Sequence, residues 1–324
     1  MASSRRWQRA AYCTRPSAAE TMRRWSRFGR PGTGPPGRRG LLRAQRVADT
    51  IAMQVPVLTY HSNNVGGNDY ASNDHVALAE DLRRIHAAGF RIVPLSRVVD
   101  VRLGAADETT VENAVALCCD DGSWFDWFDM DHPTCGPQRS FANILRNFAA
   151  ETGAPVHMTS FVIVSPAARV VLDRTCLVGR GWWTDAWWPE AEREGLIAIE
   201  SHSWDHNHAT LPETAQLDGR RGTFRSIDTH AVADAEIRQA SDWLDAHVRT
   251  PRAGLFAFPY GETNEFLLRD YLPNHVAEHR LRAAFGTDSR PVGFDSDRWN
   301  LPRYVCGHHW RSSDELVRAL QARG

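Results

Sequence analysis

From Gln54 onward, short unbroken apolar runs alternate with stretches in which apolar residues recur every three or four positions. Runs of the first kind read as strands buried on both faces, and stretches of the second kind as amphipathic helices packed against them. Val55–Tyr60 predicts a strand closed by His61-Ser-Asn-Asn64. Asn73 or Asp74 then caps a helix carrying Leu78, Leu82 and Ile85 on one face, with Gly89 just past its end. Phe90–Pro94 is a second strand, followed by a short helix over Ser96–Leu103. The run Ala114-Val-Ala-Leu-Cys-Cys119 is the third strand, and it stops abruptly at Asp120-Asp121-Gly122.

A long aromatic and acidic loop begins at Ser123 and runs to Asp131. Phe141, Ile144, Leu145 and Phe148 mark an amphipathic helix ended by Gly153, and Val156–Val164 is the fourth strand. After an irregular stretch, Thr184 caps a helix that ends at Gly195, and Leu196–Glu200 is the fifth strand. Ala231–His247 reads as a helix and Gly254–Phe258 as the sixth strand, with Ala283–Gly286 and Leu301–Cys306 as two more. Ser312 with Glu315 has the spacing of a capping box for the last helix. About eight strands alternating with helices indicate a parallel α/β barrel or a doubly wound sheet. No linker or repeat divides residues 53–324, so one domain is expected there.

Composition changes this picture only at the start of the chain. Residues 1–52 lack hydrophobic periodicity and are rich in Arg, Ser, Pro and Gly, so they cannot bury enough apolar surface to fold alone. Twelve arginines stand in that segment against Glu20 and Asp49, which leaves the remainder acidic although the whole chain is near neutral. A nucleic-acid-binding arm is one reading of the segment; translation starting at Met53 is the plainer one, and no nucleic-acid partner is expected. Arg-Arg pairs near Met1 and Met22 are followed by no apolar core, which argues against an export signal. No run of 18 apolar residues occurs, so no transmembrane helix and no membrane partner are expected. The six cysteines show no C-x-x-C spacing and read as free thiols in a reducing, cytoplasmic setting.

The candidate chemistry collects at strand ends. Adjacent carboxylates at Asp120-Asp121 repel each other and leave a strand toward opposite faces, so one is free to face a cation while the other serves a separate purpose. His202 and His206 follow the fifth strand four residues apart, a workable metal-ligand spacing if both sit on one helical turn. Fourteen histidines would give about 0.6 such pairs by chance, so the spacing gains weight only from its position. Tyr60-His61, Asp120-Asp121, His202/His206 and Phe258-Pro-Tyr-Gly261 all begin where a strand ends, and a barrel of parallel strands brings those ends to one face. Trp124, Phe125, Trp127 and Phe128, with Trp182-Trp183 and Trp187-Trp188, make the intervening loops aromatic. Some of these rings offer a platform for a flat ligand, whereas Trp187 and Trp188 read as core residues of a helix. Asp126, Asp129 and Asp131 either touch polar substrate atoms or lie in a solvated loop.

Val55-Pro-Val-Leu-Thr-Tyr-His61, Cys119-Asp-Asp-Gly122, Met158-Thr-Ser-Phe-Val-Ile163, Ser201-His-Ser-Trp-Asp-His206, Phe256-Ala-Phe-Pro-Tyr-Gly261 and Leu301-Pro-Arg303 occur in that order. In this the chain resembles the polysaccharide deacetylase family (NodB homology domain, carbohydrate esterase family 4) over about residues 54–306. The resemblance implies a distorted (β/α)7-type barrel, here a single domain over 53–324 after the Arg-rich segment 1–52. It also implies a metal-dependent hydrolase that removes acetyl or similar acyl groups from N- or O-acylated carbohydrate, with metal-bound water as nucleophile. Carried over by position, Asp121, His202 and His206 are metal ligands, zinc first among the divalent ions they suit. Asp120 is the general base, and the Tyr260 N–H helps to hold the oxyanion. The family's late histidine has no clear counterpart, which leaves His61 as first candidate for general acid and His308 or His309 as second. Arg303 stands in for the arginine that orients the base, with Asp288 or Asp295 as its support. Trp124, Trp127, Pro259 and Tyr260 are the candidate substrate contacts. The rival readings are an amidohydrolase acting on a small non-sugar amide, and a catalytically silent carbohydrate-binding barrel.

Overall fold

In a computed structural model, residues 53–211, 220–249 and 251–321 are described. The Arg-rich segment 1–52 and Cys13 within it lie outside the described residues. The strands are β1 (Val57–Tyr60), β2 (Arg91–Ile92), β3 (Ala114–Asp121), β4 (Met130–His132), β5 (Gly136–Gln138), β6 (Met158–Val162), β7 (Ile197–Ser201), β8 (Leu255–Ala257), β9 (Ala283–Phe285) and β10 (Tyr304–Val305). The main sheet is parallel throughout, in the order β10-β1-β3-β6-β7-β8-β9, with β2 paired to the start of β3. Phe285 of β9 bridges to Leu301, and three residues later Tyr304 pairs with Leu58 of β1. The run 301–305 therefore spans the gap between the last strand and the first and curls the sheet into the distorted barrel expected.

Strand alternation sorts the side chains. Leu58, Tyr60, Leu117, Cys119, Met158, Val162, Ile197 and Ile199 face one cluster with the helices, while Val57, Ala116, Cys118, Phe161, Leu255, Ala257, Ala283 and Phe285 belong to a second. Phe161 and Phe285, from strands three places apart in the sheet, bring their ring centroids within 5.8 Å across the barrel interior. Asp120 shares the parity of Cys118, and so it enters this interior. Between β7 and β8 only Ser201 and Phe256 pair; below them the Glu200 carboxylate accepts the Ala253 and Leu255 N–H groups and Arg252, standing in for the missing ladder.

The helices are α1 (Asp74–Ala87), α2 (Leu95–Arg102), α3 (Phe141–Thr152), α4 (Pro166–Cys176), α5 (Trp188–Glu194), α6 (His230–Ala233), α7 (Gln239–His247), α8 (Leu272–Asn274), α9 (Val276–His279) and α10 (Ser313–Gln321). Asn73 caps α1, and Gly153 and Gly195 close α3 and α5 in left-handed conformations, as their sequences suggest. The Ser312 hydroxyl accepts the Glu315 N–H while Glu315 reaches back to the Arg311 N–H, a capping box displaced by one residue.

Four expectations need correction. The stretch before Thr184 contains α4, whose start is set by the Ser165 side chain on the Ala168 N–H and by Pro166 in the first turn. Thr184 does not cap α5; its hydroxyl accepts the Trp124 indole N–H, and the helix begins four residues later. The aromatic loop forms a 3-10 turn at Trp124–Asp126 and then runs into the β4–β5 hairpin. The helix expected over Ala231–His247 is interrupted by a π-turn at Asp234–Arg238.

Candidate active site

β3, β7 and β8, with β6 between the first two, end at one mouth of the barrel and deliver the site. Asp121 leaves β3 with φ 79, a left-handed turn that short polar residues tolerate better than most. Ordinary alternation would send it away from Asp120; the reversed backbone brings it back. Its carbonyl accepts the Ile163 N–H at 3.1 Å and the Trp183 indole N–H at 3.2 Å. Gly122 follows with φ 75, and a Cβ there would stand 2.4 Å from Val162 Cγ1, so no larger residue fits.

His202 and His206 do not share a helical turn, contrary to expectation. Ser203, His206 and Asn207 all have positive φ, and the turn is held by the Ser203 hydroxyl accepting the His206 N–H at 2.9 Å. The outcome is nonetheless convergent: His202 Nε2 and His206 Nε2 each lie 3.8 Å from Asp121 Oδ1. One ligand atom from each of the three falls within 4.8 Å of the others, the sole such group of three among the described residues. His202 Nδ1 lies 2.8 Å from the Ala257 carbonyl, to which it must donate, and this turns the lone pair of Nε2 toward Asp121. Burial holds both imidazoles below their ordinary pKa; for His206 the neighbouring His202 and His208 push the same way. Neutral imidazoles beside a carboxylate are the protonation states a divalent cation requires, so the donor set fits one.

Asp120 lies behind this trio, its Oδ2 3.9 Å from His202 Nε2. Burial alone would raise its pKa, but the Arg303 guanidinium, with help from His202 and His61, holds it below the usual carboxylate range. Arg303 has no exposed surface and grips Asp120 through both Nη atoms, at 2.7 and 3.1 Å. Its Nε is taken by the Gly286 carbonyl, and its plane lies over Phe161; Asp288 and Asp295 are not the partners holding it.

His61 follows β1 on a turn fixed by Asp74, which accepts the His61 N–H at 2.7 Å and the Asn64 amide. It stands near enough to Asp120 and His206 for their electrostatics to feel it, which puts it at the same mouth. His309 is spoken for differently: its Nδ1 accepts the Val305 N–H. Pro259 is buried and opens a tight turn in which Tyr260 has φ 60 and Gly261 φ 65. The Tyr260 ring is partly exposed and stands edge-on to His206, centroids 4.4 Å apart.

The aromatic platform divides. Trp124 is half-buried, tied to Thr184. Trp127 offers no face to a ligand, because Trp187 stacks on it, Arg146 lies 4.5 Å from its ring centroid, and its N–H goes to Glu190. Trp187 and Trp188 are core, as expected. Asp126 is buried and accepts Ser62, Ser160 and Cys119, with burial pushing its pKa up to about 6; Asp129 caps the start of α3. Asp126 is thereby enclosed, while Asp129 is exposed and bonded through Oδ1 alone. Sequence reasoning named Trp183 only as a possible ligand platform and missed its role, the indole that fixes the Asp121 carbonyl; nothing in the local pattern separates it from Trp182.

A curled parallel barrel with carboxylates and imidazoles gathered at the carboxyl ends of its strands defines an α/β-barrel hydrolase fold and site. The family described as polysaccharide deacetylase matches residues 107–272, half of the chain, and the protein belongs to that family of hydrolases. Among solved structures it is similar to the Streptococcus pyogenes deacetylase PplD in complex with acetate, at 15% identity and TM-score 0.56, covering 83% of this chain and 99% of that one. IcaB from Ammonifex degensii aligns at 16% identity and TM-score 0.53, over 83% and 97% of the two chains. The BpsB deacetylase domain from Bordetella bronchiseptica aligns at 16% and 0.51, over 78% and 96%. No curated protein matches the chain significantly in sequence. Among the described residues no helix is long and apolar enough to cross a membrane.

Proposed function

We propose that the protein is a divalent-cation-dependent deacetylase that hydrolyses N- or O-acetyl groups on carbohydrate, with zinc the cation that best suits two imidazoles and one carboxylate. The observation that carries this reading is the convergence of Asp121, His202 and His206 beside an Asp120 kept ionised by Arg303. When bound, the cation supplies Lewis acidity and lowers the pKa of a water to about 7. Asp120 is the base that takes the proton from the attacking water; its ionised state at neutral pH follows from the Arg303 pair. Arg303 acts through Asp120 by fixing both carboxylate oxygens. The main-chain N–H of Tyr260, in its left-handed turn, helps to hold the acyl oxygen, and the exposed ring lies along the sugar. His61 protonates the leaving amine or alcohol from the β1 side of the mouth, and Trp124 and Pro259 border the sugar.

Elemental analysis of purified protein, run beside acetate release from a panel of acetylated sugars, tests the proposal. Wild type should carry one divalent ion and release acetate. Asp120→Asn should keep the ion and lose turnover by orders of magnitude, whereas His202→Ala should lose the ion. Protein that stays inactive on every sugar after zinc, cobalt, nickel and manganese are supplied refutes it.

A further inference from the structure

The turn that carries His206 takes its support from a helix that breaks its own pattern. After β7, two consecutive main-chain N–H groups end on the same residue: Trp204 donates to the Glu236 carbonyl at 2.8 Å, and Asp205 donates to Glu236 Oε2 at 3.3 Å. Glu236 lies at the middle of the π-turn Asp234–Arg238, between α6 and α7, and is almost wholly buried. A π-turn adds one residue to a helical turn and displaces its carbonyls from the regular ladder, which is why such turns are tolerated mainly where the displaced groups serve something else. Here the displaced carbonyl and the side chain of one residue both face the loop after β7. The rest of the loop closes around that point: Asp205 Oδ1 accepts the Asn207 N–H at 2.9 Å, and Arg221 grips Asp205 Oδ2 with both Nη atoms at 3.1 Å. The Asn207 amide donates to the Arg220 and Thr223 carbonyls. Tyr271 fastens the π-turn from the other side, its hydroxyl on Asp234 Oδ1 at 2.7 Å.

We propose that Glu236 is a positioning residue for the cation site: through the π-turn it fixes the Ser203–Asn207 loop and thereby the direction of the His206 imidazole. Affinity for the cation then depends on a residue that never touches it. This rests on His206 being a ligand, as proposed above.

The probe is zinc, titrated into chelator-stripped full-length protein against a chromophoric competitor, with amide hydrogen exchange over residues 203–207 followed in the same samples. Glu236→Ala should weaken zinc about 10–100-fold, the range seen when supports behind a ligand are removed, and should speed exchange in the loop. Glu236→Gln keeps an oxygen for the Asp205 N–H and should bind within about three-fold of wild type. Deleting Ala235, which returns the π-turn to an α-turn, should weaken zinc as the alanine change does. If Glu236→Ala does not fold, Glu236→Asp, one methylene too short to reach the loop, takes its place. Folded variants that bind zinc like wild type overturn the clamp, as does a lowered melting temperature with unaltered zinc affinity. Wild type that binds no zinc overturns the ligand assignment itself.

Discussion

Replacing Arg303 by Met tests the centre of the site, because it removes one charge of a buried pair and little volume. Arg303 has no exposed surface, donates to both oxygens of Asp120 and fills its Nε on the Gly286 carbonyl. Breaking such a pair from one side leaves an uncompensated buried charge and costs about 3–5 kcal/mol. For a domain of this size that corresponds to a drop in melting temperature of roughly 6–20 °C. The sign with pH follows from Asp120. In the wild type its folded pKa lies below the unfolded value, so the stability it contributes is present above about pH 4 and is lost as pH falls through the folded value. In the variant, burial without the guanidinium pushes the folded pKa above the unfolded one, so stability is fullest below about pH 4 and declines as pH rises through the new value. The deficit of the variant should therefore widen from about pH 4 to about pH 8, by about 1.4 kcal/mol for each unit of raised pKa. Denaturant unfolding of chelator-treated wild type and variant across that range measures it. Adding Asp120→Asn to Arg303→Met should restore about 2 kcal/mol or more at neutral pH and flatten the dependence. A single variant within about 1 kcal/mol of wild type, or a deficit that does not grow with pH, refutes the account of Asp120 as a carboxylate held ionised by its partner.

His61→Gln should lower kcat by about 10²–10⁴ with bound metal unchanged; an unaltered kcat would move the acid elsewhere. Trp127→Ala should cost about 3–5 kcal/mol of stability while leaving KM unaltered in the folded fraction, since its ring is enclosed by Trp187 and Arg146; a raised KM at full stability would return it to the substrate side. Gly122→Ala should cost about 1–2 kcal/mol for the left-handed backbone and more for the contact with Val162, with zinc affinity falling as Asp121 is displaced. Adding Val162→Ala should recover only part of the contact, because the Val162 Cβ position would still stand 2.7 Å away, and none of the backbone term, as separate denaturation curves would show.

The barrel was legible because alternation of apolar runs with helical periodicity is a property of whole segments. Ala114–Cys119 is apolar at every position and is buried at every position, and its abrupt end in two aspartates coincides with the barrel mouth. What escaped was whatever depends on one contact between distant residues. α4 has only a moderately apolar face and starts on a side-chain cap, so its periodicity is weak. Asp126 sits in an acidic, aromatic loop and reads as solvated or substrate-facing, yet donors from the turn after β1 and from β3 and β6 draw it inside. Trp124 and Trp127 are three residues apart in one loop; one is half-buried and the other enclosed, a difference set by Arg146, Trp187 and Glu190 from elsewhere in the chain. The pairing of Arg303 with Asp120 was legible in outline, while the support of Arg303 by a main-chain carbonyl, in place of a carboxylate, carries no mark in the sequence.

Five of the seven non-glycine residues with left-handed φ among the described residues are Asp121, Ser203, His206, Asn207 and Tyr260, all in the loops that leave β3, β7 and β8. Regular strand ends cannot aim successive side chains at one point, because alternation sends neighbours apart. Reversing the backbone at Asp121 lets two adjacent carboxylates serve one mouth, and reversing it at Ser203 and His206 lets a four-residue spacing converge without a helix. Each reversal costs about 1–2 kcal/mol, and three of the five are offset by specific partners: Ile163 and Trp183 on Asp121, the Ser203 hydroxyl on His206, three acceptors on the Asn207 amide. The partners lie just past β6 and in the loops around it and after β7 rather than among the residues that would meet substrate. Changes to those partners should therefore loosen the site before they unfold the barrel, and an enzyme weakened in this way would show lower cation affinity at nearly unaltered global stability.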